Sequence, residues 1–151
     1  MDIQDKKPLR TLSLSLYPKS TVKGREAIER FCLSLRLIPS TSSKDTIVDV
    51  LHEIILTSKE KKGISSKDIE SLVKDKRKHL GLSLDGCASS NIRRILKQLK
   101  NLGVIEKTKG YHLKKFMPLD TIVEEVIEKD ILYFIKRIKE YAKQIDSSNR
   151  L

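Results

Sequence analysis

The apolar positions along the chain follow two different periods. Leu12, Leu14 and Leu16 alternate with serines, which predicts a short, half-buried strand near the N-terminus. Farther along, the apolar residues recur at the three-to-four-residue spacing of amphipathic helices. The helices predicted from this spacing cover approximately residues 20–37, 44–58, 65–79 and 89–102.

A hairpin and a long helix are predicted in the rest of the chain. Residues 104–108 and 111–116 flank a Lys-Gly pair, which is typical of a β-hairpin. Residues 119–145 contain neither Gly nor Pro and predict one long helix. The expected fold class is therefore mainly α with a small β-hairpin (α+β).

Pro39 begins a loop of small residues that gives the clearest internal boundary. The predicted organisation is an N-terminal strand-helix extension, a central domain and a C-terminal dimerisation helix. These segments cover residues 1–43, 44–116 and 117–151.

Composition favours a soluble, cytoplasmic protein. The 151 residues are 38% hydrophobic, which is enough to bury a core, and contain neither an apolar run of membrane-spanning length nor a signal-peptide pattern. Two cysteines are too few for a disulfide framework. Cys32 is expected in the core, and Cys87 as a small buried residue or, alternatively, a redox-sensing thiol. Three Gln and three Asn hint at a thermophilic source.

The net charge of +11 is unevenly distributed. Residues 87–116 contain eight basic side chains and a single acid, Glu106, whereas residues 117–151 contain six basic and seven acidic ones. An excess confined to about thirty residues is more than solubility requires, and it indicates a polyanionic partner.

Residues 44–116 resemble the winged helix-turn-helix family of DNA-binding domains. The resemblance is carried by ISSKDI at the start of the second helix of this segment, IRRILKQL in the third, and LGVIE followed by YHL in the hairpin. It implies that helix 89–102 enters the major groove and that hairpin 104–116 acts as a wing. One departure is the connection at 79–88, which is longer than the usual tight turn. Leu82 and Leu84 in it could form a small third strand.

The third helix of this segment has one apolar face and one basic face. Arg and Lys donate to guanine in the major groove, while Ser at a helix N-terminus donates to phosphate. Together with the hairpin lysines and His112, which shares a strand face with Lys114, these side chains are the predicted DNA-binding residues: Ser89, Ser90, Arg93, Arg94, Lys97, Lys100, Lys107, Lys109, His112 and Lys114.

Two other basic runs are less specific. Residues 74–79 either contact flanking phosphates or form a solvated helix end, and residues 59–62 are interpreted as a solvated loop. The alternative for the whole basic region is a winged-helix subunit that docks protein or RNA without sequence-specific DNA binding.

The C-terminal helix carries apolar residues at alternating steps of four and three, which is the heptad spacing of paired helices. This predicts a homodimer, with packing inside the chain as the alternative. The predicted interface residues are Ile127, Ile131, Phe134, Ile138, Tyr141 and Ile145.

The sequence contains no phosphate-binding glycine motif and no HExxH or CxxC motif, and its three histidines are scattered. We therefore expect neither enzymatic activity nor a cofactor or metal. The predicted function is a dimeric winged-helix transcriptional regulator that binds double-stranded DNA. A role in replication, segregation or a mobile element would leave the same pattern.

Overall fold

A computed structural model describes residues 6–38 and 45–148, so the predicted loop that begins at Pro39 and the predicted boundary at residue 43 lie outside the described residues. The described chain is mainly helical, with a small antiparallel sheet of two strands, which confirms the predicted α+β class at this coarse level. The first helices are α1 (Arg25–Ser34), α2 (Thr46–Lys59), α3 (Ser66–His79) and α4 (Ser89–Leu102), and the strands are β1 (Ile105–Lys107) and β2 (Tyr111–Leu113).

From Leu119 to Asp146 the chain is helical, as the absence of Gly and Pro from residues 119–145 predicts. A 3-10 turn at Lys114–Phe116 is followed by α5 (Leu119–Ile122), a π-helical segment (Val123–Glu128) and α6 (Lys129–Asp146). Among the helices described, none has both the length and the apolar character needed to cross a membrane.

The predicted N-terminal strand is wrong. Leu14 and Leu16 lie exposed in irregular chain, where the backbone makes one hydrogen bond outside the segment, from Ser15 N–H to the Ser34 carbonyl at 2.9 Å. Alternating leucines and serines predict a strand with one apolar face, but they do not provide the neighbouring strand with which it has to pair. Helix α1 is also shorter than predicted, because Arg36 takes a positive φ of 56° just after its end.

The suggested third strand at Leu82 and Leu84 is likewise absent from the described chain. An extra bridge to the hairpin comes instead from Ile64, just ahead of α3. Its N–H and carbonyl exchange hydrogen bonds of 3.0 and 2.8 Å with the carbonyl and N–H of Tyr111. A single apolar residue between a charged turn and a helix is too short to show a period of two.

The chain divides into two compact units. One combines Met1–Glu53 with Lys67–Ile92, and the other combines Ile54–Ser66 with Arg93–Leu151. Each unit joins stretches that are distant in sequence, so the units do not coincide with the linear division at residues 43 and 116. All three dividing points fall inside helices: one in α2, one after the first residue of α3 and one in α4.

The apolar core of the first unit comes from α1, the first part of α2, α3 and the start of α4. Both cysteines are buried in it, and burial raises the pKa of Cys32 to about 12 and also raises the pKa of Cys87. A reactive thiol needs a lowered pKa. The core residues of this unit are Cys32, Ile38, Ile47, Val48, Val50, Leu51, Ile69, Val73, Cys87 and Ile92.

A fully buried carboxylate, Asp49 of α2, is held between two guanidinium groups. Arg25 Nε of α1 donates to its Oδ1 at 2.8 Å, and Arg77 Nη1 of α3 donates to its Oδ2 at 2.7 Å. Asp45 accepts from the same two arginines at 2.8 and 3.0 Å. Arg77 Nε also donates to the Ser83 carbonyl at 2.6 Å, which ties the connection after α3 to the same network. Burial alone would raise the pKa of Asp49, but the two hydrogen-bonded arginines outweigh it and hold the pKa below its usual range.

The same network accounts for much of the basic run 74–79. Arg77 is only 2% exposed, and Lys76 lies 3.6 Å from Asp49 and contacts His52 Nδ1. Lys74 pairs with Glu70 at 2.7 Å. Carboxylates of the same unit therefore compensate the charges of these three cations. The sequence allows two interpretations of this run, contacts to phosphate or a solvated helix end, and neither applies to the buried Arg77.

The second unit is closed around the end of α4. Gly103, at φ 87°, ends this helix with two backbone hydrogen bonds, Gly103 N–H to Lys100 and Val104 N–H to Leu99, that form a Schellman motif. A side chain at Gly103 would lie 2.7 Å from Val126, so the chain here packs closely on the π-helical segment. The core residues of this unit are Ile54, Ile64, Ile95, Leu96, Leu99, Val104, Ile105, Leu113, Ile122 and Ile127.

Replacing the buried carboxylate by an amide tests this network. Asp49→Asn should lower the free energy of unfolding by about 3–5 kcal/mol, because it removes the buried carboxylate that compensates Arg77 and leaves only the partly exposed Asp45. The exposed Asp75→Asn in α3 is the matched control and should change it by less than about 0.5 kcal/mol. Urea unfolding at neutral pH measures both.

The pH dependence follows from the lowered pKa of Asp49. Its contribution is fully present above about pH 5 and is lost as the pH falls through the unfolded value of about 3.9 and below. Asp49→Asn should therefore lose less stability than the wild type on acidification. If the free energies of unfolding of the two proteins decreased in parallel as the pH falls, this result would contradict the network.

Candidate nucleic-acid interface

Helix α4 separates its side chains onto two faces, as the sequence predicts. Ile92, Ile95, Leu96 and Leu99 are buried. The opposite face is exposed, and no acidic residue occurs anywhere in the helix. The exposed polar residues on it are Ser89, Ser90, Arg93, Arg94, Lys97, Lys100 and Asn101.

Contacts before the helix hold its first turn. Asn91 Nδ2 donates to the Gly86 carbonyl at 2.6 Å, and Thr46 Oγ1 donates to the Asp85 carbonyl at 3.1 Å. Gly86 leaves no space for a side chain, because a Cβ there would lie 2.8 Å from Thr46 Oγ1. The long connection before α4 is thus fixed by hydrogen bonds, and Ser89 and Ser90 emerge from it on the exposed side of the first turn.

Three exposed cations of α4 keep their charge available to a partner. Within the described part of the chain, no carboxylate lies within ion-pairing distance of Arg93, Lys97 or Lys100. This differs from α3, where Lys74 and Arg77 have carboxylate partners. A charge without an internal partner is compensated only by water and salt until a polyanion replaces them.

The hairpin places Lys107 and Lys109 on the exposed surface of the same unit. Lys107 is opposite Tyr111 in the strand register, and its ammonium lies 5.2 Å from the centre of the tyrosine ring. Lys114, just beyond β2, is half-buried. Glu106, the single acidic residue of residues 87–116, accepts a hydrogen bond from the Lys115 N–H at 2.9 Å.

The hairpin is held in place by the end of α2 and by the turn between α2 and α3. Besides the paired hydrogen bonds of Ile64 and Tyr111, Leu113 N–H donates to Ser58 Oγ at 2.9 Å. At the tip, Gly63 and Gly110 are in direct backbone contact, since a Cβ on Gly63 would lie 3.1 Å from the Gly110 carbonyl carbon. Two glycines facing one another allow this close approach.

This approach brings the loop 59–62, interpreted from sequence as merely solvated, beside the basic hairpin. Lys61 Nζ donates to the Phe116 carbonyl at 3.2 Å, and Lys62 is exposed next to Gly63. Sequence reasoning did not connect the two segments. The sequence signal that could have connected them is the pair of Gly63 and Gly110, since Gly63 lies beside the isolated apolar residue Ile64 and Gly110 lies at the tip of the hairpin.

The proposed surface role of His112 does not agree with the structure, because this side chain is only 2% exposed. Its ring stacks on Phe116 with centroids 3.9 Å apart, and its nitrogens contact Thr108 Oγ1 at 3.0 Å and the Leu113 carbonyl at 2.7 Å. The alternation of side chains along β2 predicts that the face carrying His112 is exposed to solvent, but the 3-10 turn at Lys114–Phe116 covers this face.

The turn reaches that position through two residues of unusual backbone. Lys115 and Phe116 both have positive φ, 51° and 56°, a region that non-glycine residues rarely adopt. The contacts already described, from Glu106 to Lys115 N–H, from Lys61 to the Phe116 carbonyl and between the Phe116 and His112 rings, hold it there. A pattern of polarity does not encode such a turn.

The predicted dimer residues divide into two groups. Ile127 is 3% exposed and belongs to the core of its own unit, and Ile131 and Phe134 are half-buried. Ile138, Tyr141 and Ile145 are 65%, 56% and 54% exposed. Packing within the chain, the alternative considered above, thus applies to the first part of the heptad pattern.

Comparisons of the chain with protein-family models, curated proteins and solved structures give no significant match. The exposed side chains themselves therefore define the candidate site. We refer to seven exposed cations of the second unit, on α4, on the hairpin and on the turn that contacts its tip, as the basic surface: Lys62, Arg93, Arg94, Lys97, Lys100, Lys107 and Lys109.

Removing the His112 ring should affect stability because the ring is packed. His112→Ala is expected to lower the free energy of unfolding by about 3 kcal/mol, through the cavity and the missing hydrogen bonds. Lys109→Ala, an exposed change in the same hairpin, should remain within about 0.5 kcal/mol of the wild type. Equal stability of the two variants in urea unfolding would place His112 on the surface after all.

Proposed function

We propose that this protein binds double-stranded DNA, with α4 in the major groove and the hairpin against the sugar-phosphate backbone. The observation that carries the proposal is the face of α4 on which exposed cations stand without any acid, beside a basic hairpin in the same compact unit. Surfaces that only confer solubility usually mix the two signs.

The dimensions of α4 suit this role. A helix with its side chains is about 10–12 Å across, and the major groove of B-DNA is about 12 Å wide. Fourteen residues give a length of about 21 Å, enough to follow the groove over several base pairs. The buried face of α4 packs into the protein, and the basic face stays exposed and available to the groove.

The basic surface separates into groups with different tasks. Arg93 and Lys97 are one helical turn apart on α4, where they reach base edges or phosphates, while Ser89 and Ser90 donate to phosphate at its N-terminus. The hairpin lysines and Lys62 contact the backbone and supply affinity without sequence preference. His112 is left out of this assignment because it is buried, and Lys114 has a minor part because it is half-buried.

A winged-helix arrangement is the architecture we propose for this binding. The order of elements from α2 to β2 and the pairing of Ile64 with Tyr111 support it, because an added backbone bridge fixes the hairpin relative to the turn before α3. A transcriptional regulator is the role most in keeping with such a module. A docking subunit for protein or RNA is the alternative that binding experiments have to exclude.

Neutralising α4 tests the major-groove role. Arg93→Ala with Lys97→Ala should weaken binding to duplex DNA by at least ~100-fold, because both residues are exposed cations of the basic face. The melting temperature should hardly change. Lys136→Ala with Lys143→Ala removes two positive charges from the exposed surface of α6 and should leave affinity nearly unchanged.

Fluorescence anisotropy with a labelled duplex measures both double variants at the same salt concentration. Equal weakening in the two would mean that net charge, and not α4, controls binding. Unaltered affinity in the α4 variant would remove this helix from the interface.

The dependence on salt tests the interaction with the DNA backbone. Log affinity should fall linearly with log salt concentration, and Lys62→Ala with Lys109→Ala should reduce the slope by about 1.8, or about 0.9 for each phosphate that the variant no longer neutralises. The decrease in affinity should be the same for unrelated duplex sequences. A slope equal to that of the wild type would exclude the tip of the hairpin from the interface.

Competition distinguishes DNA binding from the alternative. A mobility shift with random duplex DNA should be reversed by unlabelled duplex DNA at lower concentrations than by structured RNA. Preference for RNA, or the absence of a shift at about 50 mM salt, where electrostatic binding to DNA is strong, would favour the docking subunit.

A further inference from the structure

Helix α6 extends away from any cover that its own described chain provides. Every residue from 135 to 148 is exposed, although the helix contains 18 residues and continues to Asp146. Several of these side chains are large and apolar. Those more than 40% exposed on this helix are Leu132, Tyr133, Ile135, Ile138, Tyr141 and Ile145.

Most of these side chains form one stripe along the helix. Phe134, Ile138, Tyr141 and Ile145 alternate steps of four and three, and Ile135 lies beside them at 100° per residue. The charged residues of α6 lie outside the stripe. Tyr133 lies outside the stripe, about 140° around the helix from Ile138, which makes it a suitable control position.

A helix in this position needs a partner to be stable. Helices of about 12–15 residues are marginal in water unless tertiary packing supports them, and the exposed part of α6 is of this length without such packing. An apolar stripe left in water would also favour association. Ile127, in the first part of the heptad pattern, is buried in the core of its unit. The exposed part of α6 therefore continues from a segment that is fixed by packing.

We propose that the exposed stripe of α6, from Phe134 to Ile145, pairs with the same stripe of a second copy of this chain. The heptad spacing is the form in which one helix buries its apolar residues against an identical helix. From the exposed fractions of Ile135, Ile138, Tyr141 and Ile145, the stripe offers on the order of 500 Å² of largely apolar surface per copy, or about 1,000 Å² for two, which is at the lower limit for a specific interface.

Charge limits where two copies of this chain can meet. Each copy carries a net charge of +11, so most of its surface repels a second copy. Residues 117–151 have six basic and seven acidic side chains, and the stripe itself contains none. Residues 134–145 carry four basic side chains and one acid, all outside the stripe, so the apolar contact has to outweigh a repulsion that salt screens, and the pairing leaves the basic surface free.

Solution mass tests the pairing without any reference to DNA. Light scattering coupled to gel filtration, at tens of micromolar, should give twice the chain mass of 17.3 kDa for the wild type. Ile138→Lys should give the monomer mass, because it places a charge in the middle of the stripe.

Tyr133→Lys is the matched control, since it adds the same charge at a position that is 69% exposed and outside the stripe of α6. It should remain a dimer. A monomeric wild type, a mass above that of a dimer, or equal dissociation of both variants would overturn the proposal. Because both positions are exposed, circular dichroism at high concentration should show a folded core in each variant.

The consequence for DNA rests on the proposed function and is measured separately. A dimer would bind two half-sites together, so Ile138→Lys should weaken binding to a DNA with two half-sites by at least ~10-fold more than Tyr133→Lys does. A dimer in solution that binds no DNA would reject the proposed function but retain the pairing. A monomer that binds DNA would do the reverse.

Discussion

The buried carboxylate of Asp49 is the constraint on which the first unit depends. A charge removed from water has to be compensated, and here the compensation comes from Arg25 of α1 and Arg77 of α3, which also share Asp45. Since Arg77 in addition holds the Ser83 carbonyl, one carboxylate fixes three helices and the connection that leads to α4. Apolar packing tolerates small shifts of a helix, whereas hydrogen bonds to a buried ion restrict the distance and angle between donor and acceptor.

This network also changes the meaning of the net charge. Counted along the sequence, the basic residues at the end of α3 look equivalent to those of α4. In the structure Arg77, Lys76 and Lys74 lie within ion-pairing distance of carboxylates, whereas Arg93 and Lys97 have no such partner among the described residues. Proposals about a polyanionic partner therefore rest on α4, on the hairpin and on the loop that packs against its tip.

The sequence predicted the parts whose signals are local. Helix α4 has the bounds 89–102 given by its apolar period and its stop at Gly103, and the hairpin lies around Lys109 and Gly110 as its turn residues indicate. Prediction failed where a distant segment decides the outcome. The alternating leucines near residue 14 have no strand to pair with among the described residues, and His112 is covered by Phe116, which reaches it through two residues of positive φ.

By itself, then, the sequence determined the periods of its helices, the ends marked by glycine and the absence of acid on one face of α4, because these depend on residues a few positions apart. The tertiary structure decided which cations are neutralised, that Ile64 joins the hairpin, and that the stripe on α6 is covered only as far as Phe134. Most of those outcomes depend on groups that are far apart in the chain, as Asp49 is from Arg77 and Ile64 from Tyr111. Their meeting is a property of how the whole chain packs, since a hydrogen bond or an ion pair forms only when both partners arrive within about 3 Å.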